Sequence, residues 1–318
     1  DVVRRNAHAI REKLPGADIG YIWVSIGNLK NREAGNWLEW NHAAFPSGPQ
    51  ALVRDLAAMD YKLGLWAGMF WLNARLESQV TALRDAFLVK DGQPLTVPHR
   101  DLGAQYIMDP THPKTLARFD EVFGTWREWG IRYYMIDFMD AVAGATIGRY
   151  LPDRYADAAL IPGPQAMRAA LTTIRRAAGP DTYLLGSTGP TFQTVGLLDG
   201  VRAGTDYGEG RPIDGPGRGF YPATFVVNRA NYWTGHQRAL QAWATHFFVH
   251  RKLFIADSGN VLTIDKPVAL PDAQISATIF GLNGSPLMIG DDVDRMSDAR
   301  LAMLRQQFPR LPEVAEPL

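Results

Sequence analysis

Short apolar runs rich in β-branched and aromatic residues alternate along this chain with longer stretches in which apolar residues recur every three or four positions. That alternation predicts repeated strand–helix units around a parallel sheet. Eight runs read as strands: Ile19 to Ile26, Lys62 to Gly68, Gln105 to Asp109, Ile131 to Asp137, Thr182 to Ser187, Gly200 to Ala203, Lys252 to Asp257, and a final pair of short runs at Ile279 to Leu282 and Leu287 to Ile289. Between them, Leu116, Phe119, Val122, Phe123 and Trp126 share a helical face that starts after Thr111 and Pro113 and ends at Gly130. Leu52, Val53, Leu56 and Met59 follow Ser47 and Pro49 in the same manner, and Met167, Ala170, Leu171 and Ile174 run from Pro164 to Gly179.

Eight such units without a break in composition predict an α/β fold, a single (β/α)8 TIM barrel over residues 1–310. An open doubly wound sheet is the alternative. Residues 311–318 form a Pro-rich tail, and the chain reads as a piece of a longer protein. The Gly- and Pro-rich stretch Tyr207 to Pro222 reads as an elaborated loop after the sixth strand, on the face where a barrel keeps its chemistry.

Composition narrows the partners. Of 318 residues, 46% are hydrophobic and 21% charged, enough to bury a sizeable core. Lys plus Arg equal Asp plus Glu at 33 each, so no global field draws nucleic acid or an anionic membrane. No apolar run approaches the roughly 20 residues of a membrane span, and the first segment lacks a signal-peptide core. With no cysteine, disulfides, thiol nucleophiles and thiolate metal sites are excluded.

Barrel enzymes place reactive groups at the C-terminal ends of strands, and here those ends are acidic: Asp109, Asp137, Asp140, Asp206, Asp257, Asp291 and Asp292. Asp137 closes an apolar strand and is followed by Phe138, which would shield it. Asp206 stands two strands further round. Two carboxylates facing each other about 5 Å apart suit a retaining glycosidase, one attacking the anomeric carbon and the other moving the proton. Each is equally able to cap a helix or pair with an arginine, as Asp206 with Arg202. Trp37, Trp40, Trp66, Trp71, Tyr207 and Phe220 fall near the expected rim, where flat rings stack on sugar faces.

Other patterns carry less. His246 and His250 are spaced for one helix face, but Phe247 stands where a zinc hydrolase of the His-Glu motif has its glutamate. The glycine strings at 215–219 and 281–284 match no phosphate cradle and read as turns, and Leu185 breaks a nucleophile elbow around Ser187.

These residues resemble the retaining α-galactosidase-like glycoside hydrolases. The resemblance rests on Gly35-Asn-Trp37 with Phe45-Pro-Ser-Gly48, on Gly64-Leu-Trp66, on Tyr134-Met-Ile-Asp137-Phe, on Arg202 with Asp206, and on Gly281 to Asp292 with the helix Ser297 to Leu304. It implies Asp137 as nucleophile and Asp206 as general acid/base, with Arg202 supporting the acid/base loop and Asp257 at the rim. Sugar contacts would come from Trp66, Trp71, Trp37 and Tyr207. It implies an α-linked carbohydrate substrate, no cofactor, no metal, and a β-sandwich domain beyond the 311–318 tail. The sequence departs from the family at three strand ends. Val24-Ser-Ile-Gly-Asn28 lacks the usual aspartate pair, Met135 replaces a lysine, and Gly186-Ser-Thr-Gly189 replaces Cys-Ser-Gly-Gly. A non-catalytic carbohydrate-binding barrel and a metal-dependent barrel hydrolase are the alternatives.

Overall fold

The computed structural model describes residues 2–99, 102–139, 152–160, 164–187, 192–204, 229–257, 261–266 and 268–316. They gather into two compact units, Gly20–Val201 and Val2–Ile19 with Arg202–Leu318. The first helix, α1 (Val2–Lys13), belongs to the second unit and was not among the elements expected from the sequence.

In the Gly20–Val201 unit, β1 (Tyr21–Val24) leads through α2 (Gly48–Ala57) to β2 (Lys62–Ala67). Next come β3 (Trp71–Asn73), α3 (Glu77–Ala82), the two-residue strands β4 (Val89–Lys90) and β5 (Gln93–Pro94), β6 (Thr96–His99) and β7 (Gly103–Ile107). Then α4 (Pro113–Glu128), β8 (Tyr133–Ile136), α5 (Pro164–Ala178), β9 (Tyr183–Gly186) and β10 (Gly200–Arg202) complete the alternation. The sheet order β1-β2-β8-β9-β10 is parallel throughout, with Leu65 opposite both Val24 and Tyr134.

Both faces of this sheet are covered, so β2 and β8 are apolar without alternation: Leu63, Leu65 and Ala67 are buried with Trp66, and Tyr133 to Ile136 are all buried. Gly64 is needed because the ring of Tyr133 lies where a side chain would stand; a Cβ there would sit 2.2 Å from Tyr133 Cδ1. Helix α4 starts where expected, His112 Nδ1 accepting the Lys114 N–H, and its Phe119, Phe123 and Trp126 are fully buried with Tyr134. Gly130 and Gly179 take φ of 93° and 85° after α4 and α5, as helix stops require.

One expected strand lies elsewhere. The run Gln105 to Asp109 forms β7, which pairs antiparallel with β3 and β6 and takes no part in the parallel sheet. The turn at Gly103, φ 75°, joins β6 and β7 as sequence neighbours, and local pairing wins over the long crossover that a parallel place demands.

In the second unit, α1 is fastened to the segment after residue 290: Arg5 pairs with Asp292 and Asp294, each at 2.8 Å, and Lys13 Nζ donates to the carbonyls of Val293 and Asp294. Helix α6 (Arg229–His246) packs on α7 (Leu270–Leu282), β11 (Ile255–Asp257) follows α6, and α8 (Asp298–Arg305) closes the unit. Ile279 to Leu282, expected as a strand, is the last turn of α7. Along that helix polar Asp272, Gln274, Ser276 and Thr278 alternate with apolar residues, a period of two that reads as a strand and not as a helical face. Leu287 to Ile289 does run extended, with Ile289 bridged in parallel to Leu262. Among the described residues no helix is long and apolar enough to cross a membrane.

Candidate active site

Because β2 and β8 are adjacent and parallel, their C-terminal ends deliver Trp66 and Asp137 to the same place. The Trp66 indole N–H donates to Asp137 Oδ2 at 2.9 Å, and the Phe138 amide donates to Oδ1 at 2.8 Å. Each carboxylate oxygen therefore has its own donor, while the Asp137 amide continues the sheet by bonding to the Ala67 carbonyl. Asp137 is half-buried.

The Trp66 ring is fixed from three sides. Trp37 lies against it with centroids 5.8 Å apart, Phe138 meets it edge-on at 5.8 Å, and Gly68 leaves room beside it, since a Cβ there would come within 2.5 Å of Trp66 Cη2. Phe138 stacks face to face on Trp71 at 3.6 Å and 3°, and His99 of β6 packs edge-on against both rings. Trp37, Trp66 and Trp71 are all buried. Phe138 adopts φ of 57°, the left-handed region that side chains avoid. The sequence pointed to Asp137 and the three tryptophans; it carried no sign of the roles of Gly68 or His99.

Two more of the expected site residues belong to the second unit. Arg202 and Asp257, in the second unit, form a buried pair with Nε to Oδ2 at 3.5 Å, and the Ala203 amide donates to the Asp257 carbonyl at 2.6 Å. Asp206, Tyr207, Asp140, Phe220 and the glycine string at 215–219 fall outside the described residues. Three strand-end aspartates serve the backbone or an ion pair. Asp109 accepts from the amides of Thr111 and Ala156, Asp291 from those of Ile264 and Asp265, and Asp292 holds Arg5.

His246 and His250 do not share a helix: α6 ends at His246, and His250 is buried after a short 3-10 turn, its Nδ1 accepting the Ala256 N–H. Gly281 to Gly284 is a helix end with Gly284 at φ 64°, in keeping with the turn expected there. Among the described residues no group of three His, Asp or Glu side chains is arranged to hold a metal ion.

No family model matches the sequence. The structure is similar to that of the α-galactosidase of Thermus thermophilus, solved with p-nitrophenyl α-D-galactopyranoside, at 19% identity and a TM-score of 0.73, covering 98% of this chain and 58% of that one. A GH27 β-L-arabinopyranosidase from Geobacillus stearothermophilus matches at 13% identity and a TM-score of 0.65, over 96% of this chain and 70% of that one. α-Galactosidase I of Mortierella vinacea matches at 16% and 0.58, over 95% and 65%. This chain thus spans about three fifths of the length of the Thermus enzyme. In fold, the chain is an α/β protein of the (β/α)8 type found in these α-galactosidases and the arabinopyranosidase.

Proposed function

We propose that this chain is the catalytic barrel of a retaining α-glycosidase, α-galactosidase-like, with Asp137 as nucleophile and Asp206 as general acid/base. The observation that carries the reading is the Asp137 carboxylate, set at the end of a parallel strand with one donor on each oxygen. Such anchoring holds a nucleophile at a fixed angle to an anomeric carbon, which is where positioning contributes most to rate. The fold likeness to α-galactosidases supports the substrate class. Asp206 is assigned from its place in the sequence.

In the first step an Asp137 oxygen bonds to the anomeric carbon as the glycosidic C–O bond breaks, and Asp206 gives its proton to the departing oxygen. In the second, Asp206 takes a proton from water, the water oxygen bonds to the anomeric carbon, and the Asp137 carboxylate leaves. Two inversions return the original configuration. Trp66 orients the nucleophile with Trp37 and Phe138 packed against its ring; Tyr207 is assigned as a sugar contact from its place in the sequence, and Arg202 and Asp257 brace the strands that lead to the acid/base. No step draws on a metal or cofactor.

Hydrolysis of p-nitrophenyl α-D-galactopyranoside and related aryl α-glycosides tests this. Asp137→Ala and Asp206→Ala are each expected to abolish turnover, and activity surviving in Asp137→Ala rejects the assignment. The missing carboxylate pair after β1 favours a second reading, a barrel that binds sugar without cleaving it. Saturable binding with no turnover across the panel would select it.

A further inference from the structure

Phe138 sits in a conformation that costs an L-residue stability, one position after the carboxylate. Strain of this kind persists only where the surroundings enforce it. Here the enforcing contact is visible: the Phe138 ring lies flat on the Trp71 ring at 3.6 Å and 3°, with His99 packed against the edge of the pair. The Phe138 N–H lies in the peptide plane between the two residues, and with the strand holding Asp137 and the ring stack holding Phe138 that plane turns only by changing ψ of Asp137 and φ of Phe138 together; in the setting seen here the amide donates to Asp137 Oδ1 at 2.8 Å. Relaxing φ toward the right-handed or extended region with the two ends held rotates that plane and carries the N–H away from Oδ1.

We infer that Trp71 and Phe138 are a positioning pair, in which ring stacking holds the left-handed Phe138 backbone and thereby keeps one of the two hydrogen bonds that aim Asp137. This rests on Asp137 being the nucleophile and adds a role that neither ring would have as a mere sugar platform. Trp71, expected as a sugar contact, acts through the strand end. The ring of Phe138, expected to shield Asp137, also anchors φ through this stack.

Position 138 separates backbone strain from ring contact. Glycine adopts φ near 57° without penalty, whereas alanine keeps the Cβ and loses the stack. On the aryl α-galactoside, Phe138→Gly is expected to retain about tenfold more kcat than Phe138→Ala, the factor that a typical left-handed penalty gives. Trp71→Leu in the wild-type background is expected to lower kcat about tenfold, with KM changed by less than about threefold. In the Phe138→Gly background the same substitution is expected to cost less than about threefold, because no strain is left for the stack to hold. Thermal midpoints are recorded for every variant, and the Gly-to-Ala comparison stands even if Trp71→Leu does not fold.

Phe138→Ala equal to or better than Phe138→Gly overturns the inference. So does a Trp71→Leu effect of the same size in both backgrounds, or one confined to KM, which marks a sugar platform. Asp137→Ala, measured alongside, separates the two levels: turnover without Asp137 rejects the nucleophile, while its loss with alanine and glycine equivalent at 138 rejects only the positioning pair.

Discussion

Replacing Trp66 by phenylalanine removes one atom group of consequence, the indole N–H that holds Asp137 Oδ2 at 2.9 Å, while keeping an aromatic ring between Trp37 and Phe138. A hydrogen bond to a charged group contributes about 1.5–3 kcal/mol, and if that anchoring is realised in the transition state its loss lowers kcat/KM by about 10- to 150-fold. Both kcat and kcat/KM should fall together, as they do when an interaction is made in the transition state and not in substrate binding. The smaller ring also leaves a gap at a residue that is 5% exposed, costing about 1–3 kcal/mol of stability. Activity and stability are separable with Phe123→Leu, which opens a comparable gap in the core beside Trp126 and Tyr134 without touching the strand end. The assay is initial-rate hydrolysis of the aryl α-galactoside together with thermal unfolding of each variant. A folded Trp66→Phe enzyme with kcat/KM within about threefold of wild type, a difference under about 0.7 kcal/mol, would refute the claim that the indole aims the nucleophile.

Gly68→Ala is expected to push Trp66 off Asp137 and to reproduce the kinetic loss of Trp66→Phe, because its Cβ would stand 2.5 Å from Trp66 Cη2; unchanged rates would show that the ring gives way harmlessly. Arg202→Met removes the cation paired with the buried Asp257 carboxylate and should cost about 3–5 kcal/mol in urea unfolding, with Arg202→Met/Asp257→Asn recovering part of it; a single variant as stable as wild type would contradict this. Burial pushes the His250 imidazole down, with Arg251 adding to the effect, so the folded protein resists a proton that the unfolded chain accepts below about pH 6.5. The stability at stake is complete above that pH and lost as pH falls beneath it. The thermal midpoint from pH 7.5 to about 5 should accordingly fall more steeply for wild type than for His250→Asn, whose amide keeps an acceptor for the Ala256 N–H, and parallel curves would sink the argument.

What the sequence revealed of this molecule follows the range over which its signals act. Strands β2 and β8 were legible because their apolar runs end in Gly68 and Asp137, and α4 because His112-Pro113 and Gly130 bracket a clear helical face. The place of β7 was not: its residues read as a strand, but partner and direction are decided by the short turn at Gly103, which a run of apolar letters does not encode. Helix α7 was missed because Asp272, Gln274, Ser276 and Thr278 alternate with apolar residues, a period of two that reads as a strand. At the site, strand-end position found Asp137, and it found Asp109, Asp291 and Asp292 by the same rule, although these serve neighbouring amides or Arg5. The bond from Trp66 to Asp137 joins residues 71 positions apart, and only the parallel register of two strands brings them together.

The central claim, a glycosyl bond formed to Asp137, is most directly tested by trapping it. The protein is inactivated with a 2-deoxy-2-fluoro-α-galactosyl fluoride, whose C2 fluorine slows both steps while its anomeric fluoride, a good leaving group, keeps the first one fast enough to load the enzyme; it is then digested with trypsin, and the peptide Tyr133 to Arg149 is sequenced by tandem mass spectrometry. The account predicts one fluorogalactosyl group on Asp137 and none on Asp140 of the same peptide. A label on Asp140, or on a peptide that lacks residue 137, would contradict it.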